Sequence, residues 1–109
     1  MAGIIWADPA IQDLDAIADY IALDNPAAAR QLVQQVFAAV RKLRKFPQMG
    51  SVPTELRGLP YRQLIVFPCR IFYRVENKVI YIVHVLRREQ LVHRELFPAS
   101  PRVTKSSRK

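Results

Sequence analysis

The spacing of hydrophobic positions changes near residue 47, from a three-to-four-residue period upstream to alternation downstream. A short apolar run, Gly3-Ile4-Ile5-Trp6-Ala7, precedes Asp8-Pro9. The run reads as a strand and the dipeptide as a helix start, with Asp8 capping and Pro9 at the first helical position. Ile11, Leu14, Ile17, Ala18 and Ile21 then form an apolar stripe, and Asp13, Asp15 and Asp19 take the other faces. Asn25-Pro26 repeats the punctuation and opens a second helix with the stripe Leu32, Val33, Val36, Phe37, Val40 and Leu43. Arg41, Lys42, Arg44 and Lys45 crowd its last turns, where cations suit the negative end of the helix dipole. Phe46-Pro47 stops it. With about four residues between them, the helices are expected to fold back as an antiparallel hairpin.

Residues 47–61, rich in Pro and Gly, read as an irregular connection with a short strand at most. Three strands follow at Tyr61–Phe67, Arg70–Val75 and Val79–Leu86, the last two joined by the turn Glu76-Asn77-Lys78. Pro68 implies a break or an edge position. Residues 87–97 read as a short helix or an extended arm, and residues 98–109 as a basic, disordered tail. The expected architecture is α+β: an N-terminal strand and a helical hairpin packed on one face of a small, antiparallel-rich sheet, in a single domain over 1–97. The opposite sheet face then has no helix above it, and is expected to be solvated or to bind a partner.

Charge divides this chain unevenly. Residues 1–54 carry five basic and five acidic side chains, and residues 55–109 carry twelve and four, which accounts for the whole net charge of +8. Arg57, Arg62, Arg70, Arg74, Arg87, Arg88 and Arg94 are interleaved with strand residues, the expected footprint of a phosphate- or carboxylate-rich partner. The single cysteine, Cys69, excludes an internal disulfide, and with two histidines, His84 and His93, there is no zinc set. No signal peptide or membrane span is visible, so the natural reading is a cytoplasmic protein with no membrane partner.

Alternation places Arg70, Phe72 and Arg74 on one strand face. If Val75 pairs with Val79, Arg70 lies across from His84, and with Arg87 and Arg88 they form a cationic patch suited to phosphate. The plainer reading of strand arginines is solvation or pairing with carboxylates. For His84 it is a satisfied structural histidine, and for Cys69 a small buried hydrophobe, against the contrasting reading of a thiol whose pKa the adjacent Arg70 depresses. Trp6 and Tyr20 fit core packing. No carboxylate pair, Gly-rich phosphate loop or nucleophile motif is visible, and Glu55, Glu89 and Glu95 have no obvious partner.

Several strings, taken in order, resemble the RelE/ParE superfamily of bacterial type II toxins. They are Ile5-Trp6 before Asp8-Pro9-Ala10, the segment Asp13–Ile21, Asn25-Pro26-Ala27-Ala28-Ala29, Cys69–Val75, and Ile82–Arg88. The resemblance covers residues 3 to 96 and implies a growth-inhibiting toxin neutralised by a cognate antitoxin, expected to be acidic and partly disordered. It is expected to dock on the helical hairpin and the bare sheet face. RelE-like members cleave mRNA on the ribosome. ParE-like members poison DNA gyrase and are associated with plasmid stabilisation. Carried across, Arg70 matches the central-strand arginine that RelE-like toxins place on the scissile phosphate, and Arg88 the arginine after the last strand; His84 or His93 would be the acid/base. The connection at 47–56 lacks the RelE-like lysine, and His93-Arg94 stand where a tyrosine is expected. These departures favour the ParE-like reading, with Arg57, Arg62, Arg70, Arg74, Arg87 and Arg88 as target-binding residues, no cofactor and no metal.

Overall fold

The computed structural model describes residues 2–99. It contains β1 (Gly3–Trp6), α1 (Asp8–Ala22), α2 (Pro26–Lys42), β2 (Arg62–Val66), β3 (Cys69–Glu76) and β4 (Val79–Arg87), with short 3-10 turns at Thr54–Leu56 and Arg94–Leu96. The sheet order is β1-β4-β3-β2, with β1 parallel to β4 and the remaining pairs antiparallel. The expected α+β layering holds, with the helical hairpin on one face of a mixed, mostly antiparallel sheet. Apart from Pro98 and Ala99, the expected basic tail lies outside the described residues.

Local chemistry sets the two helix starts differently. Asn25 caps α2, its side-chain oxygen accepting the Ala28 N–H at 3.1 Å. Asp8 does not cap α1. Ala7 holds that position with extended dihedrals, because its N–H reaches the Ile82 carbonyl at 2.9 Å and ends β1. Asp8 instead sits in the first turn, where its charge complements the helix dipole.

Cys69, Ile71, Tyr73, Ile80, Ile82 and Val85 face the helices and pack with Leu14, Ile17, Leu32, Val36, Val40 and Leu43. Trp6 is half-buried at the edge of this core, its ring centroid 5.0 Å from that of Phe37. Tyr20 is 65% exposed, so the expectation of core packing fails for it. It lies on the solvent side of α1, beside Arg87.

The far face of the sheet is not bare. Phe72, Val83 and Leu86 meet Leu56, Tyr61 and Phe97 in a second core, with Leu59, Tyr81 and Val92 packed around it. Residues 88–97 return across the sheet as an arm with one 3-10 turn, and Phe97 closes on Phe72 at 5.1 Å and Tyr61 at 5.4 Å. The Tyr61 hydroxyl donates to the Pro98 carbonyl at 2.6 Å and ties down the end of the arm.

A bulge in β4 serves both cores. Asn77 and Lys78 both have positive φ, 52° and 66°, and form the two-residue turn that matches strand twist. Glu76 therefore faces Val79, and Val75 faces Ile80, one residue from the expected pairing. Tyr73 faces Ile82 but Phe72 faces His84, which leaves Val83 as the extra residue. Arg70 lies across from Leu86, not His84. A one-residue offset and a bulge together undo the expected alignment.

Phe97→Ala is expected to cost about 3–5 kcal/mol by opening the far core, whereas Leu23→Ala, at an 85% exposed position, should stay within about 0.5 kcal/mol. Urea denaturation checks both. Equal midpoints would mean that the arm contributes nothing to the fold.

Candidate functional site

The arginines expected to form one patch are separated by the fold into distinct settings. Arg70, on β3, is 13% exposed at its side chain and fully engaged. Its Nη1 and Nη2 donate to the two carboxylate oxygens of Glu55 at 2.9 and 2.8 Å, and its Nε donates to Gln63 Oε1 at 2.8 Å. The guanidinium also lies 5.0 Å from the Phe72 ring centroid. Glu55 thus has a partner that its sequence neighbourhood does not suggest. The Thr54–Leu56 turn presents it, and Arg94 Nη1 donates to its backbone carbonyl at 3.0 Å. The Arg70 hydrogen bond is the chief reason the Glu55 carboxyl titrates below its ordinary 4.5.

Arg74 is 2% exposed and acts inside the chain. Its guanidinium lies 4.2 Å from the Tyr81 ring centroid and donates to Glu76 at 2.8 Å. At that burial it presents little surface to a partner, although it lines a pocket with Tyr61 and Arg62. Arg62 holds the connection that follows α2, donating through Nη1 to the Gly50 carbonyl at 2.7 Å and the Gln48 carbonyl at 3.3 Å. Beyond the bulge, Arg87 turns toward the helices, 5.5 Å from the Tyr20 ring centroid and 3.1 Å from Glu89. Arg88 is exposed, with its guanidinium 5.2 Å from the Phe67 ring, and Arg57 is exposed after the Thr54–Leu56 turn.

His84 sits at the bulge between α1 and the arm. Its Nδ1 is 2.8 Å from Asp13 Oδ2, which also accepts the Val85 N–H at 3.0 Å. The Phe97 ring lies 5.2 Å from the imidazole. Asp13 therefore joins α1 to the strand at the point where the ladder is interrupted. Sequence reasoning left it among the solvent-facing acids, yet it flanks the apolar stripe beside Leu14 and Ile17, whereas Asp8, Asp15 and Asp19 lie on the opposite flank. His93 is exposed just before the Arg94–Leu96 turn.

Cys69 is fully buried, and burial pushes its thiol up, outweighing the charge of Arg87. The expected lowering by Arg70 does not occur, since that guanidinium is forked onto Glu55. Burial likewise raises the Tyr61 and Tyr73 hydroxyls. No group of three His, Cys, Asp or Glu side chains with metal-holding geometry occurs among the described residues.

Chemically, the sheet face offers a saturated arginine and a histidine held by an aspartate, with the Phe72 and Phe97 rings packed between them. Together with two helices on a four-stranded mixed sheet, this is the layout that the resemblance to RelE/ParE toxins implies. Residues 4–92 match the family described as "ParE toxin of type II toxin-antitoxin system, parDE". The chain is 31% identical over 86 residues to "Toxin RelE2" of Caulobacter vibrioides, covering 78% of this chain and 93% of that protein. A solved structure described as "Chromosomal ParDE TA system from P. aeruginosa" superposes with a TM-score of 0.69 at 30% identity, over 80% of this chain and 96% of that one. The chain belongs to the ParE toxin family of type II toxin-antitoxin systems.

Glu55→Gln is expected to destabilise the fold at neutral pH and to match wild type in acid. The folded carboxyl titrates below 4.5, so the contribution of the pair is complete above that value and is lost as pH falls through the folded pKa. Chemical denaturation of both proteins from pH 7 to pH 3, on the order of one measurement per pH unit, checks this. A stability difference that persists unchanged in acid would mean that the carboxylate charge is not the cause.

Proposed function

We propose that the chain is a ParE-like toxin that inhibits DNA gyrase by binding it, with no bond-making chemistry of its own, and that a cognate antitoxin neutralises it. The observation that carries this reading is the Arg70–Glu55 fork. Phosphate cleavage needs a guanidinium free for the phosphate and an acid/base within hydrogen-bond reach of the same atoms. Arg70 has both terminal nitrogens and Nε engaged, and His84 is across from Phe72 on a different contact. Family membership and the ParDE structural neighbour support the same direction.

The antitoxin is expected to be acidic and partly disordered, ordering as it binds. Because the far sheet face is closed by the arm, its docking is proposed on the helical layer. There a groove of 420 Å³ runs between Ala18 and Ala22 of α1 and Ala29 and Val33 of α2. No helix among the described residues is long and apolar enough to cross a membrane, and the proposed site of action is the cytoplasm.

The second reading, a ribosome-dependent mRNA endonuclease, is favoured by one contact. Asp13 at 2.8 Å from His84 Nδ1 is the arrangement that fixes an imidazole tautomer for proton transfer, and the Caulobacter relative carries a RelE name. Under that reading Arg88 and His93, both exposed, would complete the set with Arg70.

A supercoiling assay with purified gyrase, scored for inhibition and for trapped cleaved DNA, should show both, and His84→Ala with His93→Ala should leave inhibition within about twofold of wild type. No inhibition by folded protein, together with mRNA cleavage that the histidine variants abolish, would replace this reading with the endonuclease.

A further inference from the structure

The connection after α2 exposes its apolar side chains while its backbone is held fast. Phe46 and Met49 are 60% and 45% exposed, on one turn closed by the Met49 N–H donating to the Phe46 carbonyl at 3.1 Å. Beneath that turn, the Tyr73 hydroxyl donates to the Pro47 carbonyl at 2.8 Å and accepts the Gly50 N–H at 2.9 Å. Arg62 holds the Gly50 carbonyl, and Ser51 and Gln63 exchange two backbone hydrogen bonds at 3.0 and 2.8 Å. A Cβ on Gly50 would fall 2.6 Å from the Tyr73 hydroxyl and from the Gln63 carbonyl, so the loop backbone rests directly on the sheet. Pinned this way, the turn cannot bury its two apolar side chains within the chain.

The segment just before it is cationic. Arg41, Lys42, Arg44 and Lys45 are all exposed, and none enters an ion pair among the described residues. An aromatic and a methionine, held outward directly after four exposed, unpaired cations in the chain, have the composition of an interface centre with a charged neighbourhood. The fixed backbone means little ordering entropy remains to be lost on binding.

We propose that Phe46 and Met49 form a knob that docks into a folded protein target, in an apolar pocket with an acidic rim. The acidic rim follows from the four cations that lead into the knob. The folded state of the partner follows from shape, because a protruding side chain needs a concavity already formed. A disordered antitoxin segment supplies no such pocket and suits the helical groove instead. Nucleic acid fits less well, because only Phe46 of the pair offers a ring face for a base and the exposed Met49 would gain nothing from stacking. The proposal rests on the chain being a toxin, and does not require gyrase to be the target.

The test uses the full chain and three variants: Phe46→Ala with Met49→Ala, Lys42→Glu with Lys45→Glu, and Leu23→Ala as an exposed control at the other end of the hairpin. Growth arrest on expression is measured beside affinity for the purified cognate antitoxin. Loss of the knob should weaken growth arrest by at least about tenfold, the size of an interface anchor, and charge reversal should weaken it as well. Leu23→Ala should behave as wild type, and both it and the knob variant should keep antitoxin affinity within about twofold, which also reports that they fold. Growth arrest that survives knob removal, or antitoxin affinity that falls in parallel, overturns the proposal. So does about a tenfold loss of affinity for an RNA or duplex oligonucleotide with log-linear salt dependence, which assigns the knob to nucleic acid. A wild-type chain that arrests no growth overturns it too. Growth arrest that needs the knob while purified gyrase is unaffected sinks the gyrase reading alone.

Discussion

A strand shows successive side chains to opposite faces, and β4 must supply two cores that lie on opposite faces and at different heights. A strictly alternating strand that buried Ile80 and Ile82 against the helices would send Val85 to the far face and Leu86 to the helices. The extra residue at Val83 reverses the phase, so that Val85 returns to the main core and Leu86 joins Phe72 and Phe97. Two further contacts depend on the same reversal. Asp13 of α1 reaches both the Val85 N–H and the His84 ring, and Arg87 turns toward Tyr20. The bulge is the joint between layers, and Asp13 is its fastening.

Periodicity made the elements legible because each has one clearly buried face. The stripe from Leu32 to Leu43 and the run from Cys69 to Val75 leave little choice of structure, and Asn25-Pro26 supplies its own cap chemistry. What could not be read was any contact decided by tertiary geometry. Val83-His84-Val85 contains nothing to mark a bulge, since two β-branched valines flanking a histidine fit a regular strand equally well. Glu55 and Arg70 are 15 residues apart and joined only because a 3-10 turn and β2 intervene with suitable lengths. Asp13 and His84 are 71 apart, although the position of Asp13 beside the apolar stripe was a usable signal. The far core was missed because a helix was the only covering considered, and an irregular arm can bury Phe97 as completely.

Counting charge along the sequence and locating it in space lead to different surfaces. The second half of the chain holds the whole net charge, yet Arg70, Arg74 and Arg87 sit against carboxylates or rings, and Arg62 binds backbone carbonyls. The first half sums to zero, yet its acids lie on α1 and in the loop after it, while four of its five cations gather past the middle of α2. Neutral on paper, that half bears an open cationic surface of its own. Arginine saturated by an internal carboxylate is structural glue, and net charge alone does not distinguish it from a docking residue.

Phe97 and its far-face partner Phe72 are 25 residues apart, and β1 finds its parallel neighbour only when Val79–Ile82 are present. During synthesis the helical hairpin, built from nearby residues, forms early, whereas the sheet and its second core wait for the last described segment. A ribosome-bound chain is therefore helical before it is complete, and its far-face hydrophobic residues, Phe72 and Leu86 among them, stay uncovered until the arm emerges. The order of synthesis separates the helical groove, available first, from a finished toxin, which exists only once the arm has closed on the sheet.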